Sequence, residues 1–159
     1  SGLRPQGAPN HSPFQTIQLD MADGGVIVTL SRPEKRNALN AAMIGELKEA
    51  LEGLRGEPGA RVVLITGAGA DFCAGADLKA RGTERGLRLA PDGHGPMGPT
   101  RMAFTKPTIA AVEGYAVAGG LELALACDLI VAARDARFGI PETRTGMFAA
   151  GGVVTVFGR

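Results

Sequence analysis

The sequence has few of the residues on which several kinds of enzyme chemistry depend. It contains two cysteines, two histidines and no tryptophan in 159 residues. The serines Ser1, Ser12 and Ser31 form no G-x-S-x-G elbow, and His11 and His94 stand in segments without periodicity. A nucleophilic serine needs a base held within hydrogen-bond reach. The sequence therefore excludes a serine-hydrolase triad.

Metal and disulfide chemistry find little support either. Cys73 and Cys127 lack the spacing of a zinc or redox site, and two cysteines make no disulfide framework. Carboxylates and histidines never cluster at the spacing of metal ligands. We expect both cysteines to be reduced core residues, because free cysteine is among the most buried residue types.

The sequence also has no excess of positive or negative charge. Lys and Arg number 17 against 16 for Asp and Glu, which gives a net charge of +1 and none of the basic surface typical of nucleic-acid binding. The most apolar stretch, residues 108–133, is interrupted by Glu113, Glu122 and Asp128, which argues against a membrane span. The chain opens on no signal peptide, so the cytoplasm is the expected compartment.

Glycine, in contrast, is abundant, with 24 residues. The stretch "VVLITGAGADFCAGAD" raises the possibility of a dinucleotide-binding loop, which needs G-x-G-x-x-G opening into a helix. Gly67 and Gly69 fit that pattern, but Phe72 stands where the third glycine belongs. The sequence therefore disfavours a nicotinamide-dependent reductase.

The first half of the chain predicts a strand, helix, strand unit. Residues 1–13 carry three prolines and are expected to form a disordered tail. The segments "TIQLD" and "VIVTL" flank an Asp-Gly turn and predict a hairpin. Asn40 is a good N-cap for a helix that ends around Gly56, and "RVVLIT" follows as a strand.

The second half repeats this alternation. Residues 81–100 hold five glycines and three prolines and predict a mobile surface loop. After it come a strand "TIAAVEG", a short helix "GGLELALACD" and a strand "LIVAA". This pattern predicts an α/β fold, with residues 14–159 as one domain.

Two carboxylates and two glycine loops are the candidates for chemistry. Glu122 stands in apolar surroundings and Glu142 follows a proline; from the residues alone, either could be an ordinary carboxylate, the first favoured by the helix dipole. The loops "CAGAD" and "VAGGLE" can each present backbone N–H groups of the kind that an oxyanion requires, although each is also compatible with a plain tight turn.

Taken together, these segments resemble the crotonase, or enoyl-CoA hydratase/isomerase, superfamily. The similar stretches are "LSRPEKRNALN", "LITGAGADFCAGADLKA", "KPTIAAVEGYAVAGGLELALACDLIVAA" and "FGIPETRTGM", which occupy most of residues 16–152. The resemblance implies a β-β-α spiral fold and an acyl-CoA substrate. It also implies a homotrimer or a dimer of trimers, and no cofactor beyond the coenzyme A of the substrate.

The resemblance implies roles for particular residues. The backbone N–H groups of Ala76 and Gly119 would form an oxyanion hole for the thioester oxygen, and Glu122 and Glu142 would be the catalytic pair of a 2-enoyl-CoA hydratase. Arg36 and Lys79 would contact phosphates of coenzyme A, although from the residues alone each could be a solvated surface charge. The remaining positions implied for the coenzyme A and pantetheine path are Ala38, Leu39, Ala74, Gly75, Asp77, Leu78 and Gly120.

Two alternatives stay open, a 3-enoyl to 2-enoyl-CoA isomerase that uses a single carboxylate and a non-catalytic acyl-CoA-binding or assembly subunit. The sequence also departs from the family. Members normally continue into C-terminal helices, which this sequence lacks, and Ala149 and Ala150 stand where many hydratases have proline and glycine.

Overall fold

A mixed five-stranded sheet forms the body of the protein. The computed structural model describes residues 13–80, 82–83, 99–144 and 146. The sheet has the order β1-β2-β3-β4-β6, in which β1 and β2 are antiparallel and the other neighbours are parallel. Its strands are β1 (Ile17–Ala22), β2 (Gly25–Leu30), β3 (Val62–Gly67), β4 (Thr108–Val112) and β6 (Leu129–Ala132).

The hairpin that opens the sheet is confirmed. Strands β1 and β2 pair from Ile17 opposite Leu30 to Ala22 opposite Gly25. The two residues between them, Asp23 and Gly24, have φ of 46° and 82°. Positive φ at both central positions is what a two-residue turn of the primed type requires, and Asp-Gly is a preferred pair there.

Helix α1 (Ala41–Arg55) crosses from β2 to β3. The side chain of Asn40 accepts a hydrogen bond from the Met43 N–H at 2.9 Å, so the predicted N-cap is confirmed. The helix ends before Gly56, also as predicted. Its buried face carries Met43, Leu47, Ala50, Leu51 and Leu54, which pack with the sheet into one core.

Helix α2 (Gly119–Leu125) links β4 to β6, so the second crossover unit is confirmed and the chain has the expected α/β class. A second, two-stranded parallel sheet was not predicted from the sequence. It joins β5 (Tyr115–Val117) to β7 (Arg137–Gly139). Strand β5 is followed directly by α2, and β7 is followed by the Pro141–Arg144 turn.

Strand β6 differs from the expectation for an apolar strand, because all four of its residues are exposed. In the described part of the chain, no helix is long and apolar enough to cross a bilayer. Several predictions concern residues outside the described ranges: the tail up to residue 12, most of the 81–100 loop, both histidines, and Ala149 and Ala150.

Candidate active site

The second half of the glycine-rich stretch, residues 73–77, runs between two other segments and is hydrogen-bonded to both. On one side, Leu39 donates to the Gly75 carbonyl at 2.7 Å and Asp77 donates to the Leu39 carbonyl at 2.8 Å. On the other side, Cys73 exchanges hydrogen bonds with Tyr115 and Val117 of β5. Backbone hydrogen bonds on both sides therefore fix the position of this segment in the fold.

The N–H of Ala76 points away from this ladder. Both hydrogen bonds of the bridge between Leu39 and Ala76 are made by residues that flank Ala76, namely Gly75 and Asp77. The Gly75 carbonyl and the Ala76 N–H belong to one trans peptide, in which the C=O and the N–H point in opposite directions. Because the Gly75 carbonyl faces Leu39, the Ala76 N–H faces the opposite side. In the described part of the chain, no backbone carbonyl accepts from it.

The N-terminus of α2 packs against the same loop. Gly75 has φ of +90°, and a Cβ placed on it would lie 2.8 Å from the Ala118 Cβ and 3.2 Å from the Gly119 nitrogen. Gly119 is the first residue of α2, so its N–H has no acceptor within the helix. Among the described residues, no other backbone carbonyl accepts from it. The two N–H groups predicted for an oxyanion hole thus belong to segments in direct contact.

Ala118 sets the direction of the Gly119 N–H. It has φ of 51° and ψ of −126°, a conformation that L-residues rarely adopt. Its own N–H donates to the Gly139 carbonyl of β7 at 2.9 Å, and its carbonyl accepts from Glu122 at 3.1 Å. These bonds hold the peptide between Ala118 and Gly119 in an orientation that this residue would otherwise disfavour.

The two predicted catalytic carboxylates follow neighbouring parallel strands. Glu122 lies in the first turn of α2, after β5, and Glu142 lies in the turn after β7. Because β5 and β7 are parallel and in register at Val117 and Gly139, both side chains start from the same edge of the small sheet. Glu122 is 2% exposed and Glu142 9% exposed. The structure thus brings to one region two buried carboxylates that are 20 residues apart in the sequence.

A cationic cleft of about 560 Å³ opens beside the Ala76 segment. Its lining residues are Arg32, Lys35, Asn40, Asp77, Lys79, Ala80 and Thr83. The Arg32 guanidinium donates to Asp77 at 2.9 Å and to the Ala38 carbonyl at 2.5 Å. This hydrogen bond from Arg32, together with the charge of Arg32, holds the pKa of the Asp77 carboxyl below its usual value although burial opposes the effect.

Of the residues lining this cleft, Asp77 and Lys79 were predicted from the sequence as binding residues, whereas Arg32 and Lys35 were not. Arg32 and Lys35 belong to the "RPEK" segment of the sequence. Only the pairing of residues 36–39 with residues 74–77 brings them beside Lys79. Arg36 lies elsewhere: its guanidinium is 3.5 Å from Asp71 and 5.4 Å from the centre of the Tyr115 ring. Its predicted role in binding coenzyme A stays a prediction.

Several of the other predicted path residues lie on the same ladder between residues 36–39 and 74–77. Ala74 donates to the Arg36 carbonyl at 3.0 Å, and Leu39 is fully buried. Leu78 is 62% exposed. Gly120 is buried against Cys73, where a Cβ would lie 2.8 Å from the Cys73 carbonyl carbon. Contact of these residues with a ligand stays a prediction.

The cysteines are not placed for nucleophilic or metal chemistry. Burial raises the pKa of Cys73 to about 12, and burial is also the main cause that raises the pKa of Cys127 to about 12. Both thiols are therefore protonated near neutral pH. Within the ranges that the structure describes, no group of three or more His, Cys, Asp or Glu could hold a metal ion.

Comparison with protein families gives one match across most of the chain. The model described as enoyl-CoA hydratase/isomerase matches residues 21–159. Among curated proteins, the chain is 41% identical over 127 residues to a 2,3-dehydroadipyl-CoA hydratase of Escherichia coli strain K12, covering 80% of this chain and 50% of that protein. It is 40% identical over 137 residues to an (E)-benzylidenesuccinyl-CoA hydratase of Thauera aromatica, covering 84% and 53%.

Solved structures agree. An enoyl-CoA hydratase from Mycobacterium tuberculosis H37Rv is 50% identical with a TM-score of 0.79, covering 86% of this chain and 53% of that one. A carnitinyl-CoA dehydratase from Mycobacterium avium 104 is 44% identical with a TM-score of 0.82, covering 90% and 57%. These scores confirm the predicted fold type. The chain spans about half the length of the relatives that it matches.

Proposed function

Because the chain belongs to the enoyl-CoA hydratase/isomerase family, we propose that it adds water across the α,β double bond of a 2-enoyl-CoA thioester. The observation that supports this proposal best is the burial of two carboxylates, Glu122 and Glu142, at the same edge of the small parallel sheet. Hydration needs one group to take a proton from water and a second to supply one to carbon. A single-carboxylate isomerization would leave one of these buried acids without a role.

The proposed reaction balances with these groups alone. Glu122 and Glu142 position a water molecule, and one of them, Glu122 in our assignment, accepts a proton as the water oxygen bonds to the β-carbon. The electron pair of the double bond moves toward the thioester, and Glu142, protonated at the start, delivers its proton to the α-carbon. The proton taken up by Glu122 then returns to Glu142, which restores both carboxyl groups for the next turnover. The product is a 3-hydroxyacyl-CoA thioester, and the mechanism uses no cofactor besides the coenzyme A that the substrate carries.

Negative charge develops on the thioester oxygen during this step. We assign its stabilisation to the N–H groups of Ala76 and Gly119, which lie on segments that touch at Gly75 and Ala118. Removing one donor of this kind typically costs about 10²- to 10³-fold in kcat. Since both donors are backbone groups, no substitution deletes them directly, and they have to be tested through the residues that orient them.

The cationic cleft supplies a place for the phosphates of coenzyme A. Lys35, Lys79 and Arg32 line it, with Asp77 as the one carboxylate among the lining residues. Arg32 is engaged by Asp77, which leaves the two lysines as the more available cations. We propose that these lysines contact the phosphate groups while the pantetheine arm follows residues 38–39 and 74–78 toward Ala76.

Turnover tests the two carboxylates. We expect Glu122→Gln and Glu142→Gln each to abolish hydration of a short 2-enoyl-CoA, measured as loss of the conjugated thioester absorbance. Glu49→Gln, at an exposed position of α1, is the matched control. Full hydration by either active-site variant would refute the two-carboxylate assignment.

Other outcomes identify the alternatives. Conversion of a 3-enoyl-CoA that survives in one of the two variants favours the isomerase. Calorimetric binding of an acyl-CoA without any turnover favours a non-catalytic binding subunit. The trimer or dimer of trimers that the resemblance implied is a further proposal, which solution mass measurement tests.

A further inference from the structure

Asn37 is completely buried between the segment after β2 and the glycine-rich loop after β3, and none of the roles above uses it. Its side-chain amide donates to the Ala68 carbonyl at 2.9 Å and to the Asp71 carbonyl at 2.8 Å. Its side-chain oxygen accepts from the Arg32 N–H at 2.9 Å. The carboxamide therefore ties the segment after β2 to the glycine-rich loop after β3, more than 30 residues away along the chain.

The site admits few other side chains. Asn37 has φ of +53°, a left-handed conformation that asparagine tolerates better than most non-glycine residues. A Cβ placed on Gly67 would lie 2.8 Å from the Asn37 amide nitrogen. A carboxylate here would face two carbonyl oxygens, and a hydrocarbon side chain would leave those buried carbonyls without donors, which is costly in a dry interior.

The backbone of Asn37 also belongs to the ladder that carries Ala76. The Cys73 thiol donates to the Asn37 carbonyl at 3.1 Å. Arg36, one residue before Asn37, accepts from Ala74, and Leu39, two residues after it, accepts from Asp77. Residue 37 therefore connects the start and the end of the glycine-rich stretch: its side chain holds residues 68–71, and its backbone lies against residues 73–77.

We propose that Asn37 is a positioning residue, whose carboxamide fixes the glycine-rich stretch so that the Ala76 N–H points at the thioester oxygen. This inference rests on the proposed function, because it takes the Ala76 N–H as a donor to that oxygen. Asn37 is completely buried, and its side-chain oxygen and amide nitrogen are all engaged by backbone groups of the protein. Its effect must reach the reaction through the backbone.

Two substitutions separate positioning from binding. Asn37→Asp keeps the size, the acceptor oxygen and the tolerance for positive φ, but replaces both N–H donors with an acceptor. Asn37→Gly adopts φ of +53° without strain and removes the carboxamide, leaving a polar gap that water can enter. Gln18→Glu makes the same change from amide to carboxylate on the exposed strand β1 and is the matched control.

The probe is the 159-residue chain with a 2,4-dienoyl-CoA thioester. Hydrogen bonds to the thioester carbonyl polarise the conjugated system and shift its absorbance to longer wavelength, so the shift reports the oxyanion hole without any need for turnover. We expect both Asn37 variants to bind the thioester but to lose more than about half of the shift. On a short 2-enoyl-CoA, a donor displaced by about 1 Å predicts a fall in kcat of about 10²-fold with KM changed less than about threefold.

Each outcome decides the proposal. Variants that fold, bind and keep the full shift and the wild-type kcat overturn it, as does a rise in KM alone, which would make Asn37 a residue of the binding cleft. If neither variant folds while Gln18→Glu does, Asn37 is a folding residue and the proposal is also overturned. A wild-type chain that shifts the dienoyl spectrum but hydrates no enoyl-CoA refutes the hydratase, and loss of the shift in the variants then still supports Asn37.

Discussion

Replacing Gly120 with alanine tests how tightly α2 must sit on the glycine loop. A Cβ at Gly120 would lie 2.8 Å from the Cys73 carbonyl carbon and 2.9 Å from the Cys73 Cβ, and closer still to the carbonyl oxygen. Carbon atoms prefer a separation of about 3.5–4.0 Å. The substitution therefore has to push the start of α2 away from Cys73 by roughly 1 Å, because the two nearest atoms belong to the Cys73 backbone carbonyl and cannot rotate aside.

That displacement falls on the residue next to Gly119. If the Gly119 N–H stabilises the thioester oxygen, moving it by about 1 Å predicts a loss of about 10²-fold in kcat, equivalent to about 2.7 kcal/mol of transition-state stabilisation. Overpacking should also lower the free energy of unfolding by about 1–3 kcal/mol. The assays are hydration of a short 2-enoyl-CoA and urea unfolding of the same preparation.

Gly53→Ala is the matched control, because a Cβ at Gly53 in α1 meets nothing within 4 Å. Alanine is the better helix former by about 1 kcal/mol, so this variant should be more stable than the wild type and equally active. The same substitution thus has opposite effects on stability at the two positions. If Gly120→Ala had the kcat and the stability of the wild type, activity would not require α2 to pack closely against Cys73.

Three further predictions follow from single contacts. Lys79→Ala should raise the KM for an acyl-CoA by about fivefold with kcat unchanged, and the effect should shrink in high salt because the cleft is open to solvent; an unchanged KM at low salt would contradict it. Lys106 donates to the Leu54 and Glu57 carbonyls, both at 2.5 Å, so Lys106→Met should cost about 1–2 kcal/mol in urea unfolding by uncapping α1. Burial acts to raise the pKa of Glu46, but hydrogen bonds from the Thr16 hydroxyl and from the backbone of residues 15–17 lower it overall. Ionised Glu46 therefore stabilises the fold at pH values above its usual pKa. This contribution is lost as the pH falls through the lowered pKa. The difference in unfolding free energy between wild type and Glu46→Gln, about 1 kcal/mol at pH 7, should therefore shrink as the pH falls through and below the usual range of a glutamate pKa.

The elements predicted from the sequence are those specified by neighbouring residues. The Asp-Gly turn and the Asn40 cap each depend on contacts within three residues, so the neighbouring residue types were enough to predict them. Strands β5 and β7 were missed because each has three residues and pairs with a segment about 20 positions away. The apolar run of β6 predicted a strand correctly, but its exposed faces cannot be read from hydrophobicity.

In the candidate site, too, single residues could be predicted from the sequence, whereas features that depend on long-range pairing could not. The sequence named Glu122 and Glu142 individually, and the family resemblance gave them a shared role, but their common location depends on the parallel pairing of β5 with β7. The cleft that contains Lys79 likewise depends on the long-range ladder between residues 36–39 and 74–77. Asn37 was not predicted for a related reason: an asparagine in a loop is ordinary until its hydrogen bonds to the distant carbonyls of Ala68 and Asp71 are known.

Backbone strain is concentrated where these segments meet. Among the described residues, positive φ occurs at four non-glycine positions, and three of them, Arg36, Asn37 and Ala118, belong to the segments around Ala76 and Gly119. Each such residue can cost about 1–3 kcal/mol, and it persists only when surrounding bonds hold it. Here the Pro33 carbonyl accepts from Arg36, and the Gly139 carbonyl accepts from Ala118. Relaxed turns would satisfy the chain more easily but would aim these N–H groups elsewhere. The strain therefore argues, independently of family membership, that the direction of these backbone groups is what the local fold maintains.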